Sequence, residues 1–186
     1  MGSLTKGQRL LILGCLLGDG HMRKKTNALL EIIHGAKQRA YVDWKYERLK
    51  DLTLSPPKLK VTKTRIAYRF TTRSLPELTR IYDKFYRNGV KTIPEHLEIH
   101  PLTLAVWLMD DGSISRNDVY INTQGFSLEN QKKLIRILKD QLGIKVTINR
   151  DKQYRRLRIA KESNPRVAEL VAPYVLPQFR RKIPSL

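Results

Sequence analysis

The sequence predicts a mixed α/β fold in which two similar halves each combine helices with antiparallel strands. The first observation is an apolar helical run that ends in an acid-glycine step, which occurs at Asp19-Gly20 and again at Asp111-Gly112. The second is that the same short motifs follow each step in the same order. The halves are expected at residues 7–97 and 98–186, without a Gly/Ser linker between them.

The spacing of these motifs defines the repeat. The second acid-glycine aspartate lies 92 residues after the first. Ser74-Leu-Pro76 begins 55 residues after the first aspartate, and Ser163-Asn-Pro165 begins 52 residues after the second. Lys91 of Lys91-Thr-Ile-Pro94 follows the first by 72 residues, and Lys182 of Lys182-Ile-Pro184 follows the second by 71. Such close offsets indicate an internal duplication.

Each half is expected to open with a helix. Thr5-x-x-Gln8 fits a capping box before the apolar run Gln8–Leu17. Pro101 suits the first turn of the second run, Leu102–Met109. The glycines of the two acid-glycine steps are expected to end these helices.

Strands and further helices follow in the same order in both halves. Strands are predicted where apolar residues alternate with a period of two, and amphipathic helices where the period is helical. Ser127 and Gly143 mark the two ends of one of these helices, and Ser74-x-x-Glu77 and Ser163 precede the final ones. The predicted strands are Ala28–His34 and Val119–Gln124, the hairpins are Lys58–Thr72 and Val146–Ile159, and the helices are Lys37–Leu52 and Leu128–Leu142.

Charge is the strongest compositional signal. The 186-residue chain carries 36 Lys and Arg against 17 Asp and Glu, a net charge of +19. This excess favours a nucleic-acid partner over a merely soluble surface, because basic residues bind phosphates and release condensed counterions. The charge is spread along the chain instead of lying on one amphipathic helix, which disfavours a membrane surface.

Targeting signals are not evident in the sequence. No apolar run approaches the roughly 20 residues that span a bilayer, and no secretory signal pattern is found. A secreted protein is therefore not expected, and the family resemblance given below implies an organelle or a prokaryotic cytoplasm. The single cysteine, Cys15, lies in an apolar helical run and is expected to be a buried core thiol.

Two stretches predict sheet faces that contact DNA. In Lys63–Arg73 one parity is basic and the other is apolar, and in the second half Arg156 and Arg158 share a face opposite Leu157. A β-ribbon can enter the major groove, although an ordinary solvated face is the alternative. The residues expected to bind DNA are Arg23, Lys63, Arg65, Arg69, Arg73, Lys145, Thr147, Asn149, Arg156 and Arg158.

The acid-glycine steps are the candidate catalytic centre. Most Asp-Gly dipeptides are only turns. Here both end apolar helices, where a carboxylate meets the negative end of the helix dipole and a cation would relieve the repulsion. Hard divalent ions prefer such oxygen ligands, and carboxylate-bound metal ions support phosphodiester hydrolysis. Lys91 and Lys182, one in each half, are candidates to stabilise the phosphate.

A zinc site is disfavoured. His96 and His100 are four residues apart, but the segment lacks the H-E-x-x-H order and an evident third ligand.

Ile12–Gly20 and Leu104–Gly112 resemble the motif of the LAGLIDADG homing endonucleases. Further stretches are similar to the single-chain type of this family, so that the resemblance covers nearly the whole chain. These stretches are Leu54–Pro57, Lys91–Pro94, Trp107–Gly112, Asn122–Gln124, Leu176–Gln178 and Lys182–Pro184.

The resemblance implies two pseudo-symmetric αββαββα units with saddle-shaped antiparallel sheets and two central motif helices. It implies Mg²⁺-dependent cleavage of both strands of a long asymmetric DNA target with short 3′ overhangs. Mn²⁺ is expected to substitute, and Ca²⁺ to bind without supporting cleavage. The chain is expected to be a monomer.

The resemblance also assigns roles to residues. Asp19 and Asp111 become the metal-binding acids, with Gly18 and Asp110 as nearby backbone ligands. Lys91 and Lys182 become the basic residues of the active site. Gln124 matches a position that orders water, and either His34 or Gly35 stands there in the first half.

Two rival functions remain open at this point. One is an RNA maturase with intron RNA as its partner, or a DNA-binding protein of the same fold that does not cleave. The other is a structural protein, for which weak and salt-insensitive binding to nucleic acid is expected.

Overall fold

The computed structural model describes residues 3–116, 118–151 and 153–184. The chain separates into two compact units, Met1–Asp83 and Lys84–Leu186. Each unit combines helices with a four-stranded antiparallel sheet, which confirms the predicted fold class. The predicted repeat boundary between residues 97 and 98 stays a prediction, because compactness and duplication are different properties.

The first unit follows the predicted order of elements, with one additional strand before Ala28–Gly35. Its sheet has the strand order β1-β2-β4-β3. Short 3-10 turns flank the second helix at Ala36–Gln38 and Lys50–Leu52. The elements are α1 (Lys6–Leu17), β1 (His21–Lys24), β2 (Ala28–Gly35), α2 (Arg39–Leu49), β3 (Lys58–Val61), β4 (Ile66–Thr71) and α3 (Pro76–Phe85).

Helix α1 begins at the predicted capping box. The amide of Gln8 donates to Thr5 Oγ1 at 3.1 Å, and the amide of Thr5 donates to Gln8 Oε1 at 3.0 Å. These bonds satisfy amides that otherwise lack helical partners. Every residue of 10–17 is buried, including Cys15 as predicted. The helix is therefore held by packing on all its faces.

The sheet of the first unit has one buried face. Leu30, Ile32 and His34 alternate with half-buried residues along β2, as the period of a strand requires. Helix α2 covers this face, and the Tyr46 ring packs edge-on against Phe70 of β4 with centroids 5.6 Å apart. The opposite face is left to the polar and basic residues described below.

The second unit repeats this arrangement after a small hairpin, and its sheet has the equivalent strand order β7-β8-β10-β9. Residues 161–163 and 177–182 form 3-10 turns. The elements are β5 (Tyr86–Arg87), β6 (Val90–Lys91), α4 (Pro101–Asp111), β7 (Gly112–Ser115), β8 (Asp118–Ile121), α5 (Leu128–Leu142), β9 (Val146–Asp151), β10 (Tyr154–Ile159) and α6 (Asn164–Val171).

The helix ends of the second unit match the predicted caps. Pro101 occupies the first turn of α4. Ser127 Oγ accepts from the amide of Asn130 at 3.2 Å at the start of α5. Gly143 ends α5 with φ of 70°, a left-handed conformation that glycine adopts without a steric penalty.

Several predicted boundaries were wrong. The strand predicted to reach Gln124 ends at Ile121, because the chain turns where the Phe126 amide donates to Thr123 O at 3.0 Å. Ser74 does not cap α3, which begins at Pro76. Its hydroxyl donates instead to Asn27 O at 2.6 Å. Within the described residues, no helix combines the length and apolar character needed to cross a membrane.

Candidate active site and nucleic-acid interface

The first acid-glycine step folds tightly against the end of α1. The amide of Gly18 donates to Gly14 O at 3.2 Å, and the amide of Gly20 donates to Cys15 O at 2.7 Å. A Cβ on Gly20 would lie 2.6 Å from Cys15 O, so only glycine fits there. This close approach fixes the backbone around Asp19, whose side chain is 51% exposed.

The second step has the same construction. Asp111 is the last residue of α4, and the amide of Gly112 donates to Leu108 O. A Cβ on Gly112 would collide with that oxygen and lie 3.1 Å from the Leu108 carbonyl carbon. The amide of Asn122, just after β8, donates to Asp111 O at 3.0 Å. The backbone of Asp111 is thus held between a helix end and a sheet.

Lys182 lies at the end of α4 in the second unit. Its Nζ donates to Met109 O at 2.7 Å and to Asp110 O at 2.8 Å. A cation here is favourable because the C-terminal carbonyls carry partial negative charge. The ammonium therefore binds the carbonyl that was predicted as a metal ligand at Asp110, directly before Asp111.

The other predicted residues of the second unit lie in short connecting structure. Lys91 is half-buried in β6, directly opposite Tyr86. Gln124 is exposed in the turn after β8. The buried side chain of Gln131 holds this turn, because its Nε2 donates to Thr123 O at 3.0 Å and to Phe126 O at 3.2 Å.

The strand registers identify the counterpart of Gln124 in the first unit. Two residues after each acid, His21 pairs with Glu31 and Ser113 pairs with Tyr120. Four residues beyond those partners lie Gly35 and Gln124. Counting back one residue, His34 corresponds to Thr123. The predicted water-ordering amide therefore has glycine as its counterpart.

A buried polar cluster in the first unit was missed by sequence reasoning. His34 Nδ1 lies 3.5 Å from Asp19 Oδ2, and Lys45 Nζ lies 3.1 Å from His34 Nε2. His34 and Lys45 are both buried, and Lys45 Nζ also lies 4.2 Å from the centroid of the Tyr41 ring. The sequence feature that could have revealed this cluster is Lys45, which lies at a position of α2 where the amphipathic pattern calls for an apolar residue.

Some groups outside the acid-glycine steps have shifted pKa values. Burial lowers the pKa of the Arg48 guanidinium. Burial, assisted by a hydrogen bond with Asp43, raises the pKa of the Tyr68 hydroxyl. The hydrogen bond from Lys133 lowers the pKa of the Glu95 carboxyl.

The outer face of the first sheet is basic, and it combines the predicted Arg69 and Arg23 with two lysines that were not predicted. Arg69 lies on β4 and pairs through Nη1 with Glu31 Oε1 at 2.8 Å, and Lys58 is directly opposite Arg69. Lys60 follows with the same parity on β3. Arg23 of β1 also reaches Glu31, at 3.9 Å.

The remaining basic residues predicted on this face lie outside the strands. Lys63 and Arg65 belong to the turn between β3 and β4, because the strand begins only at Ile66. Arg73 follows β4, and its Nη2 donates to Asp51 O at 2.8 Å. The uniform alternation predicted over 63–73 was therefore wrong at both ends.

The outer face of the second sheet has the predicted parity. Arg156 is opposite Asn149 and Arg158 is opposite Thr147, while Leu157 faces the core. Arg158 pairs with Asp118 at 3.1 Å, and the Arg156 guanidinium lies 4.0 Å from the Tyr120 ring centroid. Lys145 precedes β9, and its Nζ lies 3.6 Å from Glu162 Oε1.

The donor set fits a hard divalent cation. Asp19 and Asp111 offer carboxylate oxygens at helix ends, and Asp19 is half exposed to solvent. Magnesium, manganese and calcium ions prefer such oxygen ligands, and Mg²⁺ retains several of its waters. Each acid, together with the basic sheet face of its own unit, is a candidate for metal-assisted chemistry on nucleic acid.

The chain belongs to the LAGLIDADG DNA endonuclease family, whose sequence model matches residues 9–167. The family assignment confirms the predicted resemblance.

Two curated relatives illustrate the range of the family. The chain is 27% identical to the cytochrome b mRNA maturase bI2 of Saccharomyces cerevisiae, over 98% of this chain and 48% of that protein. It is 26% identical to probable intron-encoded endonuclease 1 of Wickerhamomyces canadensis, over 97% of this chain and 85% of that protein. The chain thus spans about half the length of the maturase and most of the length of the endonuclease.

Solved structures share the fold. The homing endonuclease I-WcaI bound to its DNA recognition sequence superposes with a TM-score of 0.90 at 24% identity, covering 100% of this chain and 90% of that one. The structure of I-DmoI in complex with DNA and Mn superposes with a TM-score of 0.57 at 12% identity, covering 91% and 98%.

Proposed function

We propose that this chain is a site-specific endonuclease that hydrolyses both strands of a long, asymmetric DNA target with Mg²⁺ and leaves short 3′ overhangs. The observation that carries the proposal is the pair of acid-glycine steps, in which Asp19 just follows the end of α1, Asp111 is the last residue of α4, and each precedes a glycine with no room for a Cβ. A similar construction in both units is expected for acids that serve two DNA strands.

The proposed division of labour follows from chemistry and position. Asp19 and Asp111 would hold the divalent ion, and the backbone oxygens of Gly18 and Asp110 would lie beside them, although the Asp110 oxygen also accepts from Lys182. When bound, the ion supplies electrostatic stabilisation of the reacting phosphate and activates water. Lys91, in the second unit, supplies a positive charge that would stabilise the reacting phosphate of the DNA. Lys182 neutralises the end of α4 beside Asp111.

The outer sheet faces are proposed to bind the duplex. Arg69, Lys58 and Lys60 supply positive charge in the first unit, and Arg156 and Arg158 do so in the second. Phosphate contacts position a duplex, and contacts to base edges select its sequence. Several of these arginines are already oriented by acidic or aromatic neighbours, which lowers the entropy lost on binding.

The proposal is tested by selecting cleaved targets from a randomised duplex library in the presence of Mg²⁺. On the selected target, Asp19→Asn and Asp111→Asn are expected to lower the cleavage rate by about a thousandfold or more, roughly 4 kcal/mol of transition-state stabilisation. Binding measured in Ca²⁺ is expected to persist. Asp140→Asn, at an exposed position of α5, is the matched control and should cleave normally.

Mn²⁺ is expected to replace Mg²⁺ in this assay. If the unaltered protein binds duplexes but cleaves none in any of several divalent metals, the endonuclease proposal is refuted.

An RNA maturase is the second candidate, favoured by the similarity to the cytochrome b mRNA maturase bI2. It predicts tight binding to a structured intron RNA and faster splicing of that RNA. Asp19→Asn should leave this RNA activity intact, because metal-binding acids are needed for cleavage and not for holding RNA. Competition between intron RNA and duplex DNA would show whether one surface serves both.

A further inference from the structure

Lys45 is a fully buried lysine on α2, in the core of the first unit. Burial removes its ammonium from water, which is costly unless nearby groups compensate. The fold does not require this residue. The buried residues of α2 are Tyr41, Val42, Lys45 and Leu49. Four buried residues of α5 have the same spacing, namely Asn130, Gln131, Leu134 and Leu138, so Leu134 corresponds to Lys45.

The second unit therefore has a leucine where the first has Lys45. Counting three residues on from Glu31 and Tyr120, the strand partners of His21 and Ser113, also places Thr123 where the first unit has His34. Two sheets with equivalent strand order form with and without the lysine and histidine. Because packing alone is satisfied by Leu134 and Thr123, the polar pair in the first unit needs a different explanation.

The contacts of Lys45 bear on which ring nitrogen of His34 carries the proton. Lys45 Nζ is 4.2 Å from the Tyr41 ring centroid, an arrangement that favours the charged ammonium. An ammonium group only donates hydrogen bonds, so with Lys45 in its charged form His34 Nε2, 3.1 Å away, accepts. The proton of the neutral imidazole then resides on Nδ1, the nitrogen that lies 3.5 Å from Asp19 Oδ2.

We propose that Lys45 is a positioning residue that acts through His34 to direct an N–H group at the Asp19 carboxylate and so orient this acid for its metal ion. Residues that hold a metal ligand through a second hydrogen bond typically change metal affinity or activity when they are replaced. The role of Asp19 as a metal ligand rests on the proposed function, whereas the tautomer of His34 does not.

The tautomer is measured by nitrogen-detected NMR of the metal-free protein without DNA. The unaltered protein should show His34 with its proton on Nδ1, and the signal is assigned by its absence from His34→Gln. In Lys45→Met the ratio of the Nδ1–H to the Nε2–H form should fall about tenfold or more, the strength expected of one charged hydrogen bond. Leu134→Met, at the equivalent position of α5, is the control and should leave the ratio unchanged.

A second measurement connects the tautomer to Asp19. On the selected DNA target, Lys45→Met should raise the Mg²⁺ concentration for half-maximal cleavage by roughly 10- to 100-fold. His34→Ala should do the same. His34→Gln offers both an acceptor for Lys45 and a donor for Asp19, and it should retain the metal dependence of the unaltered protein.

If Lys45→Met folds and its ratio of the Nδ1–H to the Nε2–H form of His34 is unchanged, the proposal is overturned. If that variant does not fold, an unchanged Mg²⁺ dependence of cleavage in His34→Ala overturns it. A tautomer that shifts as expected in a protein that cleaves no DNA would refute the proposed function while supporting the control of His34 by Lys45.

Discussion

Replacing Gly20 with alanine tests whether the first acid-glycine step is fixed by close backbone contact. The added Cβ would lie 2.6 Å from Cys15 O and 2.8 Å from both the carbonyl carbon and the Cβ of Cys15. Two of these three atoms belong to the backbone of α1, which is buried from residue 10 to residue 17. The strain cannot be relieved by rotating a side chain, so the end of the helix or the following turn must move.

The cost follows from two effects. Overpacking in a tight site typically costs about 1–3 kcal/mol. Movement of residue 20 also weakens the bond from its amide to Cys15 O, now 2.7 Å long and worth about 0.5–1.5 kcal/mol. The total is roughly 2–4 kcal/mol. For a chain of this size each kcal/mol lowers the melting temperature by about 2–4 °C, which predicts a decrease of roughly 4–16 °C.

Thermal unfolding followed by circular dichroism measures this effect. Gly35→Ala is the matched control, because a Cβ at Gly35 meets no atom within 4 Å and φ is −59°. Its melting temperature should stay close to that of the unaltered protein. If Gly20→Ala and Gly35→Ala have the same melting temperature, the end of α1 is free to adjust, and the close contact at Gly20 does not fix Asp19.

Two further predictions concern charged residues. Lys182→Met should destabilise the protein by about 2–4 kcal/mol, since it removes two charge-assisted bonds from the end of α4, whereas Arg181→Met, at an exposed neighbouring position, should have little effect in the same thermal assay. Lys60→Ala should reduce the slope of log K against log salt for duplex binding by about 0.9, as loss of one phosphate contact requires, and an unchanged slope would remove β3 from the proposed interface.

The elements that the sequence predicted well carry strong local signals. Helix α5 has a regular apolar period, a serine at its start and a glycine at its end, and its bounds were predicted without error. Strands β1 and β7 were missed because four residues such as His21–Lys24 are too short to show a period. Their pairing with β2 and β8 depends on a chain reversal that only the tertiary structure supplies.

The residues of the candidate site also divide into those with a local sequence pattern and those that only the tertiary structure reveals. Asp19 and Asp111 were found because the repeat places each at the end of an apolar helix, a feature visible in linear sequence. His34 was named only as one of two residues that could match Gln124. Lys45 was not found, because a lysine on a helix is ordinarily solvated and only packing against the sheet makes this one buried. The turn at Lys63 and Arg65 was misread because alternation continues by chance beyond the strand.

The two units show how a duplicated fold retains its backbone while its polar chemistry diverges. Each acid precedes a glycine whose Cβ would collide with the preceding helix, so neither unit can change this step without moving the helix end. Polar side chains around the acids are less constrained, because several residue types satisfy one sheet register. Asp19 consequently faces the ring of His34, whereas Asp111 follows two carbonyls that bind Lys182. The two acids therefore lie in different electrostatic environments, although each is followed by a glycine whose amide donates to the preceding helix.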